Sequence, residues 1–168
     1  MRHAAFLRAV NVAGQGKLPM AELRALCSGL GFTSVRTYIQ SGNVVFDGEG
    51  PVRAALERAL RAHMGRPVGV VLRTGTELEV LLAAMPFPEA APNRVGVMLF
   101  NEELGELSAA DQFLAGQTDE EVVPGPRALF IHFPSGMGRS KLRIPGAAHG
   151  TMRNLNTLRK VANMVAGP

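Results

Sequence analysis

Apolar residues cluster in short runs whose spacing switches between strand and helix periods. Residues 4–10 (AAFLRAV) predict a strand, and alternation puts Arg8 on the face of Phe6 and Val10. Residues 19–30 (PMAELRALCSGL) predict a helix with Met20, Leu23, Leu26, Cys27 and Leu30 on one face, Pro19 suiting the first turn and Gly31 the stop. Two strands, 35–40 and 43–47, flank Ser41-Gly42, a hairpin signal. Residues 51–64 place Val52, Leu56, Ala59, Leu60 and His63 on one helix face, with Arg53, Glu57, Arg58 and Arg61 opposite and Glu57 spaced to pair with Arg61. Residues 68–73 (VGVVLR) predict another strand. The order βαββαβ is that of a split-βαβ, ferredoxin-like unit.

The second half opens with a helix from Thr76 to Met85, its capping box completed by Glu79. Pro86–Pro92 reads as a linker. A strand follows at 95–100, then a short helix capped by Ser108 and Asp111 and running through Leu114. Two strands, 120–123 and 128–133, surround Pro124-Gly125-Pro126, and a helix spans 151–166. That is β-α-β-β-α, the same unit without a clear last strand. The expected fold class is α+β, with two ferredoxin-like (α/β-plait, split-βαβ) modules built on antiparallel sheets. The expected division is a first module at 1–75, a helix and linker at 76–94, and a second module at 95–168 with a long basic loop.

Charge changes the picture. Glu121 is the last acidic residue: residues 1–121 carry 11 of the 18 Lys+Arg and all 14 Asp+Glu, a net −3, and residues 122–168 carry +7. A one-sign segment on a near-neutral body predicts an anionic partner. At 46% apolar and 19% charged residues, the chain can build a core. Arg8 interrupts the only N-terminal apolar run, and no apolar stretch reaches membrane-helix length, so a cytoplasmic protein without a membrane partner is expected. Cys27 is the single cysteine and lies on a core face; the four histidines lack metal-binding spacing, so neither a metal site nor a cofactor is expected.

Three segments are candidates for ligand chemistry. In Ser135–Arg143 (SGMGRSKLR), two glycines free backbone N–H groups to turn toward an anion, and Arg139, Ser140, Lys141 and Arg143 can complete a phosphate site, although the spacing is not that of a Walker loop. The start of the last helix near 151–154 offers N–H groups, with Arg153, Asn156, Thr157 and Lys160 on one stripe and Asn154 beside them. The front edge of the first module brings Arg8, Asn11, Gln40 and Ser41. An arginine between apolar neighbours needs a partner or an exit to water. No serine nucleophile motif is present, and one Tyr with no Trp supplies little stacking surface for RNA.

LRAVNVAGQGKLPMAELRALCSGLGF followed by VRTYIQSGNVVF resembles the opening of the bacterial family called domain of unknown function 1697, and GMGRSKL and TMRNLNT resemble its closing signature. The resemblance spans nearly the whole chain and implies a pair of ferredoxin-like modules without implying an activity. Two departures stand out: Ala9 and Ala13 where the family has glycine, and Leu155 where it has an aromatic residue. The functional expectation is binding of a phosphate-bearing small molecule or nucleotide at the 135–143 loop and the start of the last helix. The alternatives are a nucleic-acid-binding module and an interaction protein docking an acidic partner.

Overall fold

The computed structural model describes residues 1–12, 16–104, 114–144 and 146–167. The chain divides into two compact units, Met1–Glu77 with Val161–Pro168, and Leu78–Lys160. The first contains strands β1 (Arg2–Leu7), β2 (Thr33–Tyr38), β3 (Asn43–Asp47) and β4 (Val70–Thr74) and helices α1 (Met20–Gly29) and α2 (Val52–Met64). The sheet order is β2-β3-β1-β4, and every neighbouring pair is antiparallel. Helix α1 carries the chain from β1 past β3 to β2, and α2 carries it from β3 past β1 to β4, which is the split-βαβ arrangement used twice.

Ala5, Leu7, Val44, Phe46 and Val70 form the sheet side of the core, against Leu23 and Cys27 of α1 and Val52, Leu56 and Leu60 of α2. Phe32 stacks on Phe46 with ring centroids 4.3 Å apart. Ala4, Phe6, Val45 and Val71 alternate with these positions, face the other way and are buried too. Burial on both faces explains why these strands read as near-continuous apolar runs.

Several local expectations shift. Strand β1 ends at Leu7, so Arg8 lies outside it: the Leu7 N–H donates to Gly42 O and the Arg8 N–H to Gly69 O, both at 2.9 Å, and the chain then turns. Glu57 accepts from Arg53 Nε at 3.0 Å rather than pairing with Arg61, and it also accepts the Val70 N–H, which draws its carboxylate toward the start of β4. His63 points outward and meets Glu22 at 3.0 Å. Edge strand β2 carries a register irregularity between Thr33 and Arg36, where Ser34 has φ +51°.

Helix α3 (Gly75–Ala83) starts directly from β4. Its capping box is Thr74 with Glu77, not Thr76 with Glu79: the Glu77 N–H donates to Thr74 Oγ1 at 3.2 Å and the Thr74 N–H to Glu77 Oε1 at 3.0 Å. With no intervening loop, the last strand hydroxyl is the one in place to cap.

The second unit contains β5 (Val95–Phe100), β6 (Glu121–Gly125), β7 (Ala128–His132), β8 (Gly150–Asn154) and the start of α4 (Leu155–Ala166). Its order, β6-β7-β5-β8, repeats the first sheet and is again antiparallel throughout. The expected helix start at 151–154 is instead strand: Leu99 pairs with Thr151 and Val97 with Arg153. This supplies the last strand that the sequence pattern lacked. Asn154 then caps α4, its Oδ1 accepting the Thr157 N–H at 2.9 Å. Between β7 and β8 the described residues form two 3-10 turns, Met137–Arg139 and Ala147–His149. The helix expected from Ser108 to Leu114 lies outside the described residues, apart from Leu114 itself, which is not helical. Pro124 sits in edge strand β6, where its missing N–H is tolerated. The fold class is α+β, with two antiparallel four-stranded sheets.

Candidate functional site

The candidates of the first unit gather where β1 leaves the sheet, and Asn11 and Ser41 bond there to neighbouring loop groups. The Asn11 side chain donates to Leu18 O at 2.8 Å and to Gln40 O at 2.7 Å, and its Oδ1 accepts the Leu18 N–H at 2.7 Å. Asn11 has φ +58°, a conformation asparagine tolerates better than most residues. Ser41 Oγ accepts from Asn43 Nδ2 at 3.0 Å, and the same nitrogen donates to Tyr38 O at 2.8 Å. Gly42 is enforced twice. Its φ is +87°, and a Cβ there would come within 2.7 Å of Val10 Cγ2. Arg66 Nη2 donates to Ala9 O at 3.0 Å. Arg8 is half-buried, and the Gln40 side chain is exposed. Asn11, Ser41 and Asn43 therefore fasten the loops together at this end of the sheet.

An open cleft of about 540 Å³ in this unit is lined by His3, Gly50, Pro51, Val52, Arg53 and Glu57, among others. None of the candidate ligand residues lines it.

In the second unit the basic loop has a definite course. Ser135 Oγ donates to Asp119 Oδ2 at 2.5 Å, and that bond holds the Asp119 carboxyl below the usual carboxylate range. Gly136, at φ +91°, turns the chain into Met137–Arg139. Ser140, which follows this turn, is extended. The Arg143 N–H donates to Ala115 O at 2.8 Å. The Lys141 carbonyl lies where a Gly116 Cβ would stand, 1.9 Å from that point. The loop is thus laid against residues 115–116. Arg139, Lys141 and Arg143 are exposed, while Ser140, Leu142 and Ile144 are half-buried. Ser140 Oγ accepts the Leu142 N–H at 3.2 Å. No ion pair joins the three cations to another described residue.

The remaining candidates do not extend this surface. Arg153 is 7% exposed in β8, and Nη1 donates to Thr151 Oγ1 at 2.8 Å and Met152 O at 3.0 Å. Burial pushes its guanidinium down to about 10. Asn154 is the helix cap, and Asn156 is exposed on α4. The expected stripe of Arg153, Asn156, Thr157 and Lys160 does not form, because Arg153 is on the strand and Thr157 is buried. Leu155 is buried as well, so an aromatic residue at that position would enter the core rather than offer a stacking surface.

Sequence reasoning missed Arg73, which is 1% exposed at the fourth position of β4, the position Arg153 holds in β8. The signal was there: a charged residue closing the apolar run VGVVL. It also missed Gly116, whose close approach to the loop leaves no mark in composition. Among the described residues no group of three His, Cys, Asp or Glu is placed to hold a metal ion, and no helix is long and apolar enough to cross a membrane.

The family described as "Protein of unknown function (DUF1697)" matches residues 1–130. The chain belongs to this family. The matched span includes the whole first unit up to α3 and the Asn11, Ser41 and Gly42 fastenings. Among solved structures, the conserved bacterial protein SP0830 from Streptococcus pneumoniae is similar, at 26% sequence identity and a TM-score of 0.80, with 98% of each chain covered. No curated protein matches the chain.

Proposed function

We propose that this is a cytoplasmic protein that binds a phosphate-bearing ligand at the segment Arg139–Arg143. The observation that carries the reading is the exposure of Arg139, Lys141 and Arg143 on a braced backbone, with no ion pair to a described residue. They lie in a stretch, residues 122–168, that contains no Asp or Glu. Guanidinium and ammonium groups held this way meet phosphate oxygens through charge-assisted bonds. The helix start drops out of the proposed site, because Thr151–Asn154 is strand and Asn154 already bonds the Thr157 N–H.

The test is calorimetric titration with inorganic pyrophosphate at low salt, on the native protein and on a triple variant, Arg139→Gln with Lys141→Gln and Arg143→Gln. Binding that weakens at least tenfold in the variant, with an unchanged melting temperature, supports the reading. Equal affinity in both proteins overturns it, and so does failure of the native protein to bind either pyrophosphate or an oligonucleotide.

A further inference from the structure

The cations of this segment do not converge on one point. Exposure alternates residue by residue from Arg139 to Ile144, with the three cations out and Ser140, Leu142 and Ile144 turned in. The hydrogen bond of the Arg143 N–H to Ala115, with the Lys141 carbonyl facing Gly116, puts two backbone groups two residues apart on one edge, as in a strand. Lys141 and Arg143 therefore stand roughly 6.6 Å apart along the chain, two strand rises, with Arg139 two residues before them at the end of the 3-10 turn Met137–Arg139. That is far longer than the separation of adjacent phosphates in a polyphosphate. It is close to the separation of successive phosphates along a nucleic-acid strand. One phosphate could engage only one of these side chains at full strength, whereas a strand could engage each in turn.

Resting on the reading above, we infer that the ligand is the sugar–phosphate backbone of a nucleic-acid strand, followed by Arg139, Lys141 and Arg143 in register. No described Phe of the second unit is exposed: Phe100, Phe130 and Phe133 are buried and Phe87 is half-buried. Base stacking is therefore poorly supplied, and recognition rests mainly on charge. Binding is expected to be weak, indifferent to base sequence and strongly dependent on salt.

Fluorescence anisotropy with a short labelled oligothymidylate and a labelled duplex, each over a salt series, reads this directly. Three phosphates neutralised on a single strand give a slope of log K against log salt of about −2, and on a duplex roughly −3. Replacing one cation, as in Lys141→Gln, is expected to reduce the single-strand slope by about 0.7. Slopes of this size, lost in the triple variant at unchanged melting temperature, support the inference, and the arm that binds more tightly identifies the form of nucleic acid. Pyrophosphate binding without strand binding overturns this inference and leaves the anion site standing. Strand binding that survives in the triple variant overturns it by placing the contact elsewhere. Failure of both ligands removes the site itself.

Discussion

Asn11 and Leu18 exchange two hydrogen bonds through one side chain: Nδ2 donates to the Leu18 carbonyl at 2.8 Å and Oδ1 accepts the Leu18 N–H at 2.7 Å. The amide thus acts as a piece of backbone, closing the loop between them like a rung of sheet. Asn11→Ala removes these bonds and the one to Gln40. It is expected to cost about 2 kcal/mol, since each typical bond contributes about 1 kcal/mol and part of the loss is recovered by water. Asn11→Asp keeps the acceptor but turns the donor into a second acceptor facing two carbonyls, and is expected to cost no less. Denaturant unfolding checks both; an unchanged midpoint for either counts against the clamp.

Ala9 is strained in its backbone conformation. Its φ is +55°, and it has a Cβ to accommodate there. Ala9→Gly relieves that strain and gives back part of the gain as unfolded-chain entropy. The expected net effect is a stabilisation of roughly 0.5 kcal/mol, read as a higher melting temperature. A lower melting temperature sinks the assignment of strain at this residue.

The capping box separates two adjacent sequence matches. Thr74→Ala is expected to destabilise by about 1 kcal/mol through loss of the α3 cap. Glu79→Gln, at the position the sequence pattern favoured, is expected to leave stability within about 0.5 kcal/mol of the parent. Equal effects would mean that the helix starts where the pattern placed it.

Gly116 controls the basic segment. A methyl group there meets the Lys141 carbonyl, and φ is +74°, so Gly116→Ala must displace one chain or the other. The expected cost is about 2 kcal/mol, with weakened anion binding. Gly138→Ala, with nothing within 4 Å of an added Cβ, is the matched control and is expected to be silent in both assays.

Burial raises the Cys27 thiol from its ordinary 9.0 to about 12. The folded value exceeds the unfolded one, so this group's contribution is fully present below pH 9 and is lost as pH rises toward 12. Near neutral pH a thiol reagent is expected to react only after denaturant is added. Cys27→Ala is expected to flatten part of the alkaline loss of stability. Rapid labelling of the folded protein contradicts both statements.

Long amphipathic and strongly apolar segments were legible in the sequence. Strand β5 spans Val95–Phe100 as its run VGVMLF indicates, and α2 runs between Val52 and Met64 as its buried stripe indicates. Strand β8 was hidden because Thr151–Asn154 is short, holds one β-branched residue, and continues in phase with the helix that follows. Pairing with β5, a tertiary effect, decides its state. The burial of Arg153 was illegible for a related reason, since arginine is ordinarily exposed and only the packed sheet reveals otherwise, whereas Arg73 was marked by the apolar run it closes. The polar residues of the YIQSGN run suggested a ligand, yet Ser41 and Asn43 bond within their own hairpin. Side-chain capping of loops and ligand binding favour the same residue types, and a sequence does not separate them.

The irregular pairing at Thr33–Arg36 and the proline at position 124 share a physical consequence. Each lies on a strand that ends its sheet, and each spoils the ladder that another molecule's strand would need. At β2 the left-handed Ser34 bends the row of donors and acceptors out of line. At β6 Pro124 deletes a donor outright. Those two edges are thereby made poor templates for edge-on growth into fibrils, and removing both obstacles at once is expected to raise aggregation through them.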